Sequence, residues 1–160
     1  MVAKHVTILV GTMTGTAEIV AEEIKAMLDA ETAIGSEIHP MDSLDAGILA
    51  AGGDFLIVTS TYGQGDVPDN ARGFFEDVAR TRPDLEQVRF AVAGLGDSTY
   101  QDTFNHAGEK FEVLLTGLGA TRVAGRLKHD ASGDTLAEDA AVEWARDAVA
   151  SFEEARAEAA

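Results

Sequence analysis

Three loops hold the residues whose types and spacing could do chemistry. The first, Thr12-Met-Thr-Gly-Thr-Ala-Glu18, sets three hydroxyls and a glycine between an apolar run ending at Gly11 and an amphipathic segment. The first N–H groups of a helix lack intrahelical partners and carry the positive end of its dipole, so a loop entering a helix here is an anion site. It contains no Lys or Arg and matches neither the Gly-Lys-Ser/Thr ending of a nucleotide P-loop nor a GxGxxG fingerprint. A phosphate would therefore be held by neutral donors. The plainer reading, an N-cap at Thr14 or Thr16, stays open on this loop alone. In the second loop, Thr59-Ser-Thr-Tyr-Gly-Gln-Gly-Asp-Val-Pro-Asp-Asn70, two glycines let the backbone approach a ligand. Tyr62 offers an aromatic face, and Asp69 or Asn70 is placed to cap the next helix; a long surface turn is the plainer reading. The third, Gly94-Leu-Gly-Asp-Ser-Thr-Tyr100, repeats the pattern. The chain has two tyrosines, one in each of these last two loops. Two aromatic walls with exposed amides between them suit a planar, hydrogen-bonding ring.

The elements that must position these loops alternate strictly. Val6–Val10 and Asp54–Ser60 are continuous apolar runs, the mark of strands buried on both faces. Glu37–His39 is a weaker strand nearer an edge, Val88–Ala93 a fourth, and Thr121 through Leu127 a fifth. Ala17, Val20, Ile24, Met27 and Leu28 recur at helical spacing. So do Phe74, Phe75, Val78 and Ala79, then Phe104, Ala107, Phe111, Leu114, Leu115 and Leu118, and finally a segment from Leu136 to Phe152. This alternation predicts an α/β fold: a doubly wound three-layer sandwich with helices on both faces of a five-stranded parallel sheet. Ligands of such sheets lie beyond the strand carboxyl ends, at the reversal of strand order, which is where the three loops fall.

Composition narrows the chemistry. With 160 residues, one domain is expected, covering 1–152, with a helical or frayed tail over 153–160. There is no cysteine, which removes disulfides, Cys-ligated metals, thiol redox chemistry and Cys nucleophiles. The 28 acidic against 12 basic residues give a net charge of −16, a poor match for nucleic acid or anionic membranes and a good one for basic proteins. A salt-adapted or GC-rich coding style would give the same bias. No apolar run is long enough to span a membrane, and Val6–Val10 is too short for a signal peptide, so a cytoplasmic protein is expected. His5, His39, His106 and His129 lack metal spacing, and Ser98 has no His base in register. Gly11-Thr12 and Thr59-Ser60 stand where a response regulator needs its acidic residues.

Together the three loops, in order and each after a strand, resemble the flavin mononucleotide (FMN) loops of flavodoxins, most closely the short MioC-type proteins and the FMN domains of diflavin reductases. The resemblance runs over nearly the whole chain and implies the sheet order 2-1-3-4-5. It implies that Thr12, Met13, Thr14, Gly15, Thr16 and Ala17 wrap the FMN phosphate. Ser60, Thr61, Tyr62, Gly63, Gln64 and Gly65 form the second loop, with Tyr62 and Tyr100 flanking the isoalloxazine and the Gly63 carbonyl able to turn toward flavin N5. Leu95, Gly96, Asp97 and Phe104 border the pyrimidine edge, and Asp130 matches a family position near the flavin. Ala17 stands where many flavodoxins have a third Thr, as in diflavin-type loops. Trp144 lies in the last helix, where core packing is its expected role.

The implied function is one-electron transfer by a monomer between a reductase and acceptor proteins with basic docking surfaces, without enzymatic activity of its own. Asp66, Asp69, Asp97 and Asp102, as rim acids, would oppose negative charge on the ring and separate the two one-electron potentials. The alternative is a flavodoxin-fold NAD(P)H-dependent flavin oxidoreductase, for which no nicotinamide-binding feature is visible. A diflavin fragment would continue past Phe152, where no linker or second domain is expected. A flavin-storing module would lack reversible one-electron steps.

Overall fold

A computed structural model describes residues 5–12, 15–60, 68–96, 106–130 and 133–159. Strand β1 (His5–Gly11) is followed by helix α1 (Thr16–Glu31) and strand β2 (Gly35–Pro40). A 3-10 turn (Met41–Ser43) and a single-turn helix α2 (Gly47–Ala50) lead to β3 (Gly53–Ser60) and α3 (Asp69–Thr81). Then come β4 (Val88–Gly96), α4 (His106–Gly117), β5 (Thr121–Arg122), β6 (Leu127–Asp130) and α5 (Ala137–Ala159). The strands lie parallel in the order β2-β1-β3-β4-β5, with β6 also pairing β4.

Each face of the sheet buries its own core. Val6, Ile8 and Val10 of β1 meet Val20, Ile24 and Leu28 of α1 and Ala141, Ala145, Ala148 and Phe152 of α5. On the other face Leu9, Ile57, Phe90 and Val92 meet Phe74 and Val78 of α3 and Phe111 and Leu115 of α4. The central strands supply apolar residues to both faces, which is why their runs are continuous rather than alternating. Phe75 and Phe111 join α3 to α4 edge to face, with ring centroids 5.1 Å apart at 87°.

The fifth strand differs from its expected continuous run. Thr121–Arg122 pairs with Arg89 and Phe90, and the chain then leaves the ladder until Leu127 rejoins it opposite Ala93. Side chains from both layers hold the interruption. On one side the buried Glu112 of α4 receives Arg122 at 3.2 Å and also pairs with Arg126. On the other the Trp144 indole N–H donates to the Gly125 carbonyl at 2.9 Å. Trp144 thus packs against the α1–α5 core, as expected, and also satisfies a backbone group that left the sheet. Because this bond is reached by solvent, Trp144→Phe should cost under about 1 kcal/mol, measurable by urea denaturation.

Two ion-pair systems secure α5. Arg146 donates from Nε and Nη2 to the two oxygens of Glu31 at 2.9 and 2.8 Å, tying α5 to the end of α1. This hydrogen-bonded guanidinium holds the Glu31 carboxyl below its usual value. The sign follows: the pairing helps at neutral pH and fades as acid protonates the carboxylate. Farther along α5, Arg156 pairs with the buried Asp54 at the start of β3, which also accepts Arg89 Nε at 2.9 Å. No helix of the described residues is long and apolar enough to cross a membrane.

Candidate functional site

The carboxyl ends of the strands form one edge, and strand order places the candidate loops there side by side. Gly11 of β1 is in register with Thr59 of β3, Thr59 with Gly94 of β4, Ser60 with Leu95, and Gly96 with Asp130 of β6. The chain leaves β1 for α1 on one face and β3 for α3 on the other. That divergence opens the crevice in which ligands of doubly wound sheets bind.

At the β1 exit, Gly15 is the residue before α1 and adopts a left-handed conformation, φ 92° and ψ −7°. A side chain there would be strained whatever the space, and the space around its missing Cβ is open to 4 Å. Of the two caps considered from the sequence, Thr14 lies outside the described residues and Thr16 is already helical; the N-cap place is held by Gly15, which has no side chain to cap with. The first turn of α1 therefore opens from a glycine at the crevice edge, and no described residue beyond its chain neighbours comes within 4 Å of where a Gly15 Cβ would lie. Thr12 is buried, and its Oγ1 accepts the Gly15 N–H at 2.9 Å. Ala17 turns its side chain into the α1–α5 core, which leaves its backbone for any ligand.

The β3 exit brings a second polar group. Ser60 Oγ is shielded from solvent and has no hydrogen-bond partner among the described residues. A buried hydroxyl left in that state is costly, and a ligand polar atom would satisfy it. At the start of α3 the expected cap by Asp69 or Asn70 does not form: Pro68 occupies the N-cap place without a side-chain cap bond. Asn70 instead turns its carboxamide oxygen back to β1, where it accepts the Thr12 N–H at 2.7 Å. Sequence reasoning had no signal for this long-range bond, because an Asn at a helix start reads first as a cap.

At the β4 and β6 exits, Leu95 is buried in the core, and Gly96 and Asp130 are partly exposed at the end of their ladder. The Asp130 carbonyl accepts the Gly133 N–H at 3.0 Å. His129 Nε2 lies 2.6 Å from the Thr135 carbonyl, and since a carbonyl only accepts, that nitrogen carries a proton and donates. This bond ties the end of β6 to the approach of α5. Of the residues singled out from the sequence, Thr12, Gly15, Thr16, Ala17, Ser60, Leu95, Gly96 and Asp130 thus gather on one edge. Met13, Thr14, Thr61, Tyr62, Gly63, Gln64, Gly65, Asp97, Tyr100 and Phe104 lie outside the described residues.

Comparison with known proteins follows the same outline. The family model for flavodoxin matches residues 8–144. The protein MioC homolog of Haemophilus influenzae is 36% identical over 140 residues, 88% of this chain and 93% of its own length. The sulfite reductase [NADPH] flavoprotein alpha-component of Bacillus subtilis is 36% identical over 144 residues, 89% of this chain but 23% of that protein. Among solved structures, a cysteine-to-serine mutant of flavodoxin from Pseudomonas aeruginosa superposes with a TM-score of 0.83 at 34% identity, covering 93% of this chain and 99% of that one.

Proposed function

The chain belongs to the flavodoxin family, and on that premise we propose that it carries electrons one at a time between a reductase and acceptor proteins. Its cofactor is FMN. The observation that carries the reading is the crevice at the β1–β3 divergence, where the left-handed Gly15 that opens α1 and a buried Ser60 hydroxyl with no hydrogen-bond partner among the described residues lie on one edge. The group fits these residues chemically. A phosphate would suit the N–H groups at the start of α1 and the threonine hydroxyls of the Thr12–Ala17 loop, and a polar ring edge would suit Ser60 Oγ.

FMN supplies a ring that takes up and releases single electrons. The protein's share is to hold and surround it. Thr12, Met13, Thr14, Gly15, Thr16 and Ala17 would hold the phosphate without a cationic side chain of their own, leaving the chain's acidity uncompensated there. Ser60 through Gly65, with Tyr62, and Leu95 through Asp97, with Tyr100, Phe104 and Asp130, are the residues that would hold the ring and keep water from it.

The partners are proteins with basic docking surfaces, and the carrier is a monomer without catalysis of its own. Net charge of −16 steers such partners, so raising the ionic strength should slow electron exchange with a basic partner. The direct test is purification: the protein should be yellow, and denaturation should release FMN. A colourless chain that also refuses added FMN would refute the reading. Potentiometry then separates a carrier, which shows two reversible one-electron steps, from a flavin-storing module, which does not exchange electrons with a reductase.

A further inference from the structure

We propose that Asn70 is a positioning residue that makes the site selective for the phosphorylated flavin, an inference that rests on the FMN reading. The α3 start and the phosphate loop are separated by 58 residues, yet Asn70 Oδ1 accepts the Thr12 N–H at 2.7 Å. Thr12 passes the constraint on, since its Oγ1 accepts the Gly15 N–H at 2.9 Å. Gly15 then opens α1 in the left-handed conformation, and its carbonyl accepts the first helical bond, from Ile19 N–H at 3.2 Å. The three links run Asn70 to Thr12 to Gly15 to the first turn of α1.

The chain of acceptors has a chemical consequence. With its oxygen already accepting from Gly15, the Thr12 hydroxyl keeps its hydrogen to donate, and an anion is the acceptor it suits. With its N–H committed to Asn70, the Thr12 backbone cannot swing to satisfy itself elsewhere, and Thr12 and Gly15 are held in place before any ligand arrives. Preorganisation of this kind raises affinity by lowering the ordering cost of binding. Every link lies on the phosphate side of the crevice, so the benefit falls on the phosphate and not on the ring. The first residues of α3 sit close enough for this because Gly11 has no side chain: a Cβ there would meet Ala71 Cβ at 3.0 Å.

The test compares FMN with riboflavin, which has the same ring and no phosphate. Both are titrated, by quenching of flavin fluorescence, into apoprotein prepared from the purified holoprotein. Asn70→Ala should weaken FMN binding by about tenfold, the scale of one lost hydrogen bond, while riboflavin binding changes by less than about twofold. Asn70→Asp keeps the acceptor but sets a carboxylate near the phosphate; it should weaken FMN at low salt and recover toward wild type at high salt, which Asn70→Ala should not do. Riboflavin binding doubles as the check that each variant is folded. Equal FMN affinity in wild type and Asn70→Ala, or parallel loss of both flavins, overturns the assignment. A wild-type chain that takes up neither flavin fails differently, by removing the FMN reading itself.

Discussion

Replacing Arg89 and Arg156 together with alanine should destabilise the fold by about 3–5 kcal/mol, more than the two single changes added. Asp54 has a side chain only 3% exposed, and these two arginines are its ionic partners among the described residues. Either single change leaves one guanidinium in place and should cost about 1–2 kcal/mol, since each arginine is partly solvated. Losing both strands a buried carboxylate, and that desolvation is the large term. Adding Asp54→Asn to the double variant removes the stranded charge and should restore much of the loss; no restoration would mean that arginine packing dominates. Urea denaturation at a fixed excess of FMN gives the numbers, because bound cofactor contributes to apparent stability. Flavin affinity should not change in any of these variants. Asp54 is the second residue of β3 and Ser60 its last, so the triad sits about 20 Å from the crevice edge. The pairing also explains why α5 continues as a helix past Phe152 to Ala159.

The division between what was legible in the sequence and what was not follows the range of each interaction. The strand order came only from the resemblance of the loops to a family, whereas the layers could be read because continuous apolar runs and helical spacing are local signals, repeated along the chain. The loops were visible for the same reason: glycines, hydroxyls and tyrosines cluster within a few residues of each strand end. The fifth strand was not. Thr121 to Leu127 has the composition of a strand, and what interrupts it is tertiary: Glu112 drawing Arg122 and Arg126, and Trp144 reaching the Gly125 carbonyl. Asn70 was misread in the same way, as a local cap when its partner lies in another loop. The rim acids mark a further limit. Asp69 is exposed and pairs with Arg72 at 3.5 Å, so part of its charge is already answered. Asp66, Asp97 and Asp102 lie outside the described residues.

Gly11→Val should both destabilise the protein, by about 1–3 kcal/mol, and lower FMN affinity by at least about tenfold. Gly11 and Gly15 flank the same loop but are glycines for opposite reasons. Gly11 lies in ordinary strand conformation at the end of β1, where even a Cβ would meet Ala71 Cβ and Thr59 Oγ1 at 3.0 Å and Met41 Sδ at 3.3 Å. Gly15 has open space but a φ of 92°. Valine at 11 must therefore push back the first turn of α3, and with it Asn70, breaking the bond that holds Thr12. Alanine at 15 meets nothing and pays only in backbone strain, about 1–2 kcal/mol. The two mechanisms separate in a cross. Ala71→Gly removes one of the atoms in the way and should recover part of the stability and flavin binding lost in Gly11→Ala; it should do nothing for Gly15→Ala. Gly15→Asn should be tolerated better than Gly15→Ala, because Asn accepts left-handed backbone more readily. If Ala71→Gly leaves Gly11→Ala uncorrected, the seam between β1 and α3 is not what sets the phosphate loop, and the route from Asn70 through Thr12 to α1 loses its foundation.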